Sequence, residues 1–323
     1  MIAAIDIGNT NITVGLIEND TLIDRYRLTT KARRTSDEFG VMLENFLKSA
    51  DIDKTQIKDV IMCSVVPKVM HSCRNGVIKF FGIDPMVVQP GIKSGISVQL
   101  ENPRSVGADR IADCAGAYHY YGGPVLVIDF GTATTYDYVD ENGRFKSGVI
   151  SVGIETGANA LWSQTAQLPE IEIKKPETVL ARDTQTEMQA GVFYQYIGGV
   201  EYTIKQIRKE TGYKDLQVIA TGGLGRVVYG HTKLINVYDP TLIFKGLNII
   251  YKKNKESRLK QRFLLLSIGF KALHHRIDFF FTKNIRFSDR FCPVLQFCQP
   301  FSILCVAIGT FQACIKGDQA MIG

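Results

Sequence analysis

Two stretches of the chain share one layout: an apolar run, an aspartate, a glycine two residues on, small polar residues, and a return segment. In the first, Ile2-Ala-Ala-Ile5 leads into Asp6-Ile7-Gly8-Asn9-Thr10-Asn11 and returns through Ile12-Thr13-Val14-Gly15. In the second, Val125-Leu-Val-Ile128 leads into Asp129-Phe-Gly131-Thr132 and returns through Thr134-Thr-Tyr-Asp-Tyr-Val139. Apolar runs bounded by turn residues predict buried strands, and β-branched and aromatic returns predict their hairpin partners. The two aspartates lie 123 positions apart (129 − 6), about one domain length.

The pattern extends both copies alike. Thr21 to Leu28 alternates as a third strand, and Thr35-x-x-Glu38 is a capping box opening a helix through about Lys48. Phe39, Met42, Leu43, Phe46 and Leu47 fall on one face of that helix. Asp59 to Val66 predicts a buried strand stopped by Pro67, Val69 to Phe81 a helix ended by Gly82, and Pro85 to Gln89 a further strand. This β-β-β-α-β-α-β order is that of an RNase H-like half. A helix of small residues follows Asn102-Pro103 and runs to Tyr121, and the turn Gly122-Gly123-Pro124 is where we place the domain boundary. The second half repeats the meander, with its third strand at Arg144–Ser151 and helices at about Glu155–Thr165 and Thr184–Glu210. Strand Gln217–Ala220 then enters the turn Gly222-Gly223-Leu224-Gly225, and a last helix covers about Pro240–Tyr251. The fold class expected is α/β: two RNase H-like halves, residues 1–121 and 122–252, each a mixed sheet flanked by helices.

Residues 253–323 read as an atypical tail outside that domain. From about Glu256 onward lie ten of the 18 phenylalanines and four of the seven cysteines, with no sustained periodicity. His274, His275, Cys298 and Cys305 lack metal-ligand spacing. The apolar run 301–308, bounded by Pro300 and Gly309, is too short to span a membrane.

Composition narrows the class. Hydrophobic residues make up 45% of the 323 and charged residues 22%, as in soluble globular proteins. No basic leader with an apolar segment follows Met1, and the cysteines show no Cys-x-x-Cys spacing, so we expect a cytoplasmic protein with free thiols. Of the net charge of +6, residues 256–323 carry nine Lys/Arg against four Asp/Glu. Residues 1–255 are therefore nearly balanced, 29 against 28. A balanced body predicts neither nucleic acid nor membrane as partner.

The chemistry then points to an anion. A strand that delivers a carboxylate beside a glycine turn lets backbone N–H groups approach phosphate while the carboxylate holds a cation. A strand running into Gly222-Gly223 gives the close backbone approach that a nucleotide requires. The same residues allow plainer roles: Asp6 and Asp129 as turn residues, and Asp109 and Asp113 as partners of a helix dipole. Thr184-x-x-Glu187 is a capping box, which gives Thr184 a structural role as well.

The two hairpins and the glycine turn resemble the nucleotide fold of actin, Hsp70 and the sugar kinases, the actin-like ATPase superfamily. Asp6-Ile-Gly-Asn-Thr-Asn11, Gly107-Ala-Asp-Arg110 and Ile128-Asp-Phe-Gly-Thr-Ala-Thr134 narrow the resemblance to the type III pantothenate kinases. Ala160-Leu-Trp162, Thr165-Ala-Gln-Leu-Pro169 and Met188-Gln-Ala-Gly191 agree, and the match covers about residues 1–252. The resemblance implies a homodimer that phosphorylates pantothenate with ATP, the first step toward coenzyme A. By position, Asp6, Ile7, Gly8, Asn9, Thr10, Asn11, Ile12 and Thr13 would form the first ATP loop, and Thr132 would contact ATP from the second. Asp109 would be the general base, with Gly107, Ala108 and Arg110 holding substrate and Thr184 completing the pocket across the dimer interface. Asp129 would ligate a monovalent cation, K⁺ or NH₄⁺, beside the Mg²⁺ that accompanies ATP.

Two positions depart from the family pattern: Leu100 replaces a tyrosine, and Ser151-Val152-Gly153 lacks a proline. Two rival readings are a non-catalytic accessory factor of the same fold and an actin- or Hsp70-like ATPase. The charges at Asp6, Asp109, Arg110 and Asp129 argue against the first, and the short body argues against the second.

Overall fold

Strand β1 (Ile2–Ile7) turns at Gly8 into β2 (Asn11–Glu18), which turns at Asn19-Asp20 into β3 (Thr21–Thr29). After helix α1 (Ser36–Ser49) comes β4 (Asp59–Ser64), then α2 (Pro67–Phe81) and the two-residue strands β5 (Met86–Val87) and β6 (Ser97–Val98). Helix α3 (Ala108–Tyr121) leads into the second meander, β7 (Val125–Phe130), β8 (Ala133–Val139) and β9 (Arg144–Val152). Helices α4 (Ile154–Ser163) and α5 (Thr184–Thr211) follow, then β10 (Gln217–Thr221), the short α6 (Gly225–Tyr229) and β11 (Val237–Tyr238). A last helix, α7, begins at 242 and continues through 255. The computed structural model describes residues 1–30 and 34–255, which belong to one compact unit, Met1–Gln261. The readings made of 256–323, including His274, His275, Cys298 and Cys305, lie outside the described residues. Among the described residues no helix is long and apolar enough to cross a membrane.

The duplication seen in sequence is a duplication of topology. The first sheet has the order β3-β2-β1-β4-β5 and the second β9-β8-β7-β10-β11, with β6 added beside β9. In each, the first strand pairs antiparallel with its hairpin partner and parallel with the fourth. This is the expected pair of RNase H-like mixed sheets.

Local chemistry sets the outer elements. Both bonds of the Thr35/Glu38 capping box form at the start of α1, at 3.2 and 2.7 Å. Pro67 does more than stop a strand: it opens α2 at the first turn, where its missing N–H costs nothing. Gly82 closes α2 in the left-handed conformation, at φ 67°, which glycine adopts without a Cβ penalty. Phe39, Leu43, Leu47, Val69 and Val77 of these helices pack on Ile5, Val14 and Leu16 of the first sheet. In the second half, Val200 and Ile204 of α5 cover Leu126, Ile128 and Tyr136.

Two helices lie between the sheets. Ala112 and Ala115 of α3 pack with Ala4 and Ile61 of the first sheet, while Cys114 and Ala117 pack with Val125 and Val127 of the second. Helix α7 divides likewise, with Leu242 on the second sheet and Phe244, Leu247 and Ile250 on the first. At their crossing the backbones touch: a Cβ on Gly246 would stand 1.8 Å from the Ala112 carbonyl oxygen, and one on Gly116 2.9 Å from that of Leu242.

Several details differ from the sequence pattern, among them that β4 ends at Ser64 rather than Val66. The strand expected over Pro85–Gln89 shortens to Met86–Val87, and β6 and β11 are too brief to show periodicity. Helix α7 outruns Tyr251 because Asn254 bonds both the carbonyl (2.9 Å) and the N–H (3.3 Å) of Lys93.

Gly246→Ala should lower the unfolding free energy by roughly 1–3 kcal/mol, the cost of overpacking. Helix propensity alone would raise it by up to about 1 kcal/mol. Urea denaturation therefore tests the contact by sign.

Candidate active site

The carboxyl ends of β1 and β7 open on one cleft. Register places Cys63, Asp6, Thr13 and Arg27 in a row across β4, β1, β2 and β3. One oxygen of Asp6 accepts from the Cys63 thiol at 3.2 Å, and the other meets the Thr13 hydroxyl at 3.5 Å. In the turn that follows, the Gly8 N–H donates to Asn11 O (3.0 Å) and Thr30 Oγ1 to Gly8 O (2.7 Å). Ile7 and Ile12 are fully buried beneath it, so their side chains serve the core and only their backbone can serve a ligand.

Asp129 occupies the matching place in the second sheet, paired with Thr135 and Thr221. Gly222, at φ 87°, passes directly over it: a Cβ there would lie 2.3 Å from Asp129 Oδ1. Gly153 meets a similar demand, since its Cβ would fall 2.3 Å from Gly131 O and 2.6 Å from Thr132 O. The Thr132 carbonyl accepts from Gly153 N–H (3.2 Å) and Thr156 Oγ1 (2.7 Å), which fixes the turn. The two hairpins meet where the hydroxyls of Thr10 and Thr132 share a hydrogen bond of 2.7 Å.

Helix α3 supplies the third wall. Asp109 lies in its first turn and accepts its neighbour Arg110's N–H at 2.7 Å. Gly107 makes room for this carboxylate, because a Cβ there would stand 2.4 Å from Asp109 Oδ1. Arg110 Nε donates to both oxygens of Asp137 on β8, at 3.0 and 3.1 Å, and Nη2 joins the same carboxylate. This pair is nearly out of solvent, with side chains 16% and 2% exposed, and Gly148 leaves the space it fills. A bidentate arginine so held presents its charge in a fixed place.

Carboxylates crowd the cleft. Burial, then the charge of Asp109, pushes Asp6 up to about 7. Burial, then Asp109, Asp6 and Asp137, pushes Asp129 to about 7 as well. Asp109 is raised mainly by burial, with Arg110 acting against the rise. Asp113, one turn further along α3 and 4% exposed, is raised well above the ordinary range by burial and then by Asp129, Asp109 and Asp6. Its Oδ1 is buried without a hydrogen-bond partner. Oxygen donors of this kind fit hard cations such as Mg²⁺ and K⁺. No three His, Cys, Asp or Glu among the described residues converge as a ready-made cage, so a cation here needs oxygens from elsewhere, as nucleotide phosphates provide.

Of the residues singled out by sequence, the Asp6–Thr13 turn (apart from the core side chains of Ile7 and Ile12), Gly107 to Arg110, Asp129 and Thr132 lie about this cleft. Thr184 stands exposed at the start of α5, and no hydrogen bond among the described residues ties it to them. Its capping role also shifts by one residue: Asp183 is the N-cap, accepting from Thr186 N–H at 3.0 Å. Leu100 packs against the core beside Ala117 and Val125. The sequence reading missed Cys63, Asp113 as a cleft group, Asp137 and Gly148. A charge inside an otherwise buried return strand was the available signal for Asp137, since such a charge needs a partner.

Ligand-free protein should be more stable at pH 6 than at pH 8. Asp6 and Asp129 bind protons up to about pH 7 when folded and only to about the ordinary 3.8 when unfolded. Their destabilisation is complete above pH 7 and is relieved as pH falls through that value. Asp140 and Asp239 do not interfere: there burial is outweighed by bonds from Arg144 and Lys245, so they titrate lower. Melting curves across pH 5.5–8.5 check the sign, and Asp6→Asn should flatten the slope.

The family model of type III pantothenate kinases matches residues 2–206. A type III pantothenate kinase of Bifidobacterium longum is 57% identical over 254 residues, covering 79% of this chain and 99% of that protein. One from Agathobacter rectalis is 52% identical over 260 residues, covering 80% of this chain and all of that protein. One from Listeria monocytogenes is 40% identical with the same coverage. The duplicated fold, the carboxylate cleft and likeness along the full length of these relatives lead to one conclusion: this chain belongs to the type III pantothenate kinase family.

Proposed function

We propose that the chain transfers the γ-phosphoryl group of ATP to the hydroxyl of pantothenate, giving 4′-phosphopantothenate, the first step toward coenzyme A. The observation that carries this reading is Asp109, which the first turn of α3 sets electrostatically against Asp6 and Asp129 in the cleft between the two hairpins. Phosphoryl transfer asks a protein for positioning and charge neutralisation more than for covalent chemistry. The turns at Asp6–Thr13 and Thr132 hold the phosphates from both halves. Asp109 accepts the proton of the attacking hydroxyl, and its burial raises its affinity for that proton. Gly107 and Ala108 let substrate approach the backbone at the start of the helix. Arg110, anchored by Asp137, faces the substrate with a charge that does not wander. Mg²⁺ accompanying ATP would neutralise phosphate charge, and Asp129 would hold K⁺ or NH₄⁺; among the described residues the charges that act on its buried carboxylate are those of Asp109, Asp6 and Asp137, which supports that role.

The reading extends to a homodimer in a reducing compartment, the cytoplasm. Strand β9 leaves Val149, Ile150 and Val152 exposed (41, 63 and 57%), and Tyr202 of α5 is 65% exposed. A second copy covering this apolar surface would let Thr184 of one chain reach the pocket of the other. Cys63, Cys73 and Cys114 are free and buried, which fits a reducing environment.

ADP release should require both pantothenate and a monovalent cation; equal ATP hydrolysis without pantothenate would instead indicate an ATPase of the actin or Hsp70 kind. Asp109→Asn should lower kcat by at least ~100-fold, the scale of a lost general base, with the melting temperature little changed. Near-normal turnover with lost stability would return Asp109 to a helix-dipole role. Ile150→Asp should convert the dimer to monomer in sedimentation velocity and remove activity with it. A dimeric variant would place the interface elsewhere.

A further inference from the structure

Arg27 is an exposed residue of β3 that stands in register with Thr13 and hence in the same row as Asp6. Its guanidinium reaches the other half of the molecule. A Cβ on Gly223 would lie 3.8 Å from both Nη1 and Nη2 of Arg27. Gly223 belongs to the turn after β10, next to the Gly222 that passes over Asp129.

Two further arginines approach this turn. Arg226 follows Gly223 by three residues (226 − 223), and Arg25 shares Arg27's strand face and donates to Pro240 O at 3.3 Å. Tyr238 stands beside the turn: its hydroxyl donates to Gly222 O at 3.0 Å, and its ring lies against Gly225. Burial raises the Tyr238 phenol above its ordinary range, and the charges of Arg25, Arg226 and Arg27 all act against that rise. Among the described residues, none of the three arginine side chains has a carboxylate within ion-pair distance.

Like charges gathered at one glycine turn, none of them ion-paired to a described carboxylate, favour an anion at that place. The glycines let such an anion reach the backbone, and a guanidinium can grip two phosphate oxygens at once. Proteins that bind polyanions are as a rule strongly basic, and residues 1–255 are nearly balanced, so we take the ligand to be a small anion. We infer that Arg27 and Arg226 clamp the phosphate chain of ATP at the Gly222–Gly223 turn, Arg27 from the first half and Arg226 from the second. This rests on the kinase reading above, and it assigns both arginines as nucleotide ligands that bridge the cleft.

The test measures KM for ATP and for pantothenate in wild-type protein, Arg27→Gln, Arg27→Lys and Arg226→Gln, with ADP titrated calorimetrically into each. Arg27→Gln should raise KM for ATP and weaken ADP about 10- to 100-fold, the effect of losing a charge-assisted hydrogen bond. KM for pantothenate should stay within twofold, and Arg27→Lys should keep part of the affinity. Nucleotide affinity within twofold of wild type in both Gln variants would overturn the clamp. So would an equal rise in both KM values, which a loosened fold produces. If wild-type protein showed no pantothenate-dependent turnover, the kinase reading would fall, while ADP titration would still decide the clamp.

Discussion

Backbone meets backbone where α3 crosses α7, and this contact sets the distance between the two sheets. Gly116, Gly246 and Ala112 remove the side chains that would hold the helices apart. Each helix then serves both sheets, through opposite faces of α3 and successive residues of α7. Because the sheets share one strand order, bringing them together also brings together the same end of each. Asp6 and Asp129 face one cleft for that reason, and α3 can enter it with Asp109 at its first turn.

That geometry creates an electrostatic debt. Carboxylates withdrawn from water beside one another resist ionisation, and α3 adds Asp109 and Asp113 to the two from the hairpins. Protons relieve the strain in the free protein, whereas cations and their phosphate partners relieve it with ligand bound. Arg110 cannot do so alone, because the Asp137 carboxylate already occupies the Nε/Nη2 edge of its guanidinium. The cleft is thus better matched to metal-bound nucleotide than to empty solvent, and pH and ligand act on the same groups.

Legibility in the sequence followed the range of the interactions. The hairpins, the Thr35/Glu38 box and Gly82 depend on residues within a few positions of one another and could be read directly. The family motifs singled out Asp109 and Asp129, which local rules read only as a helix-dipole partner and a turn residue. What escaped was made by distant partners: Arg110 with Asp137, 27 positions apart, and Cys63 with Asp6, 57 apart. The strands β6 and β11 exist only because neighbouring strands offer free edges, and two residues carry no period. At α5, Asp183 and Thr184 are both good caps, and backbone geometry rather than residue type chose the aspartate.

The repeat also shows how two copies of one design divide the work. Across the first sheet the row reads Cys63, Asp6, Thr13, Arg27; across the second it reads Thr221, Asp129, Thr135, Ile150. The central aspartates are kept, and each has a threonine beside it. The outer positions diverge, arginine in one and isoleucine in the other, and both are exposed. An exposed guanidinium opposite a glycine turn suits a phosphate, while an isoleucine left 63% exposed suits another protein surface. The outer strands of the two meanders also differ in what lies beyond them: β3 ends the first sheet, whereas β9 is paired with β6 at Arg144 and Phe145 and leaves only its later residues uncovered. The uncovered end of β9, with Val149, Ile150 and Val152 exposed, is the surface on which the proposed homodimer would form.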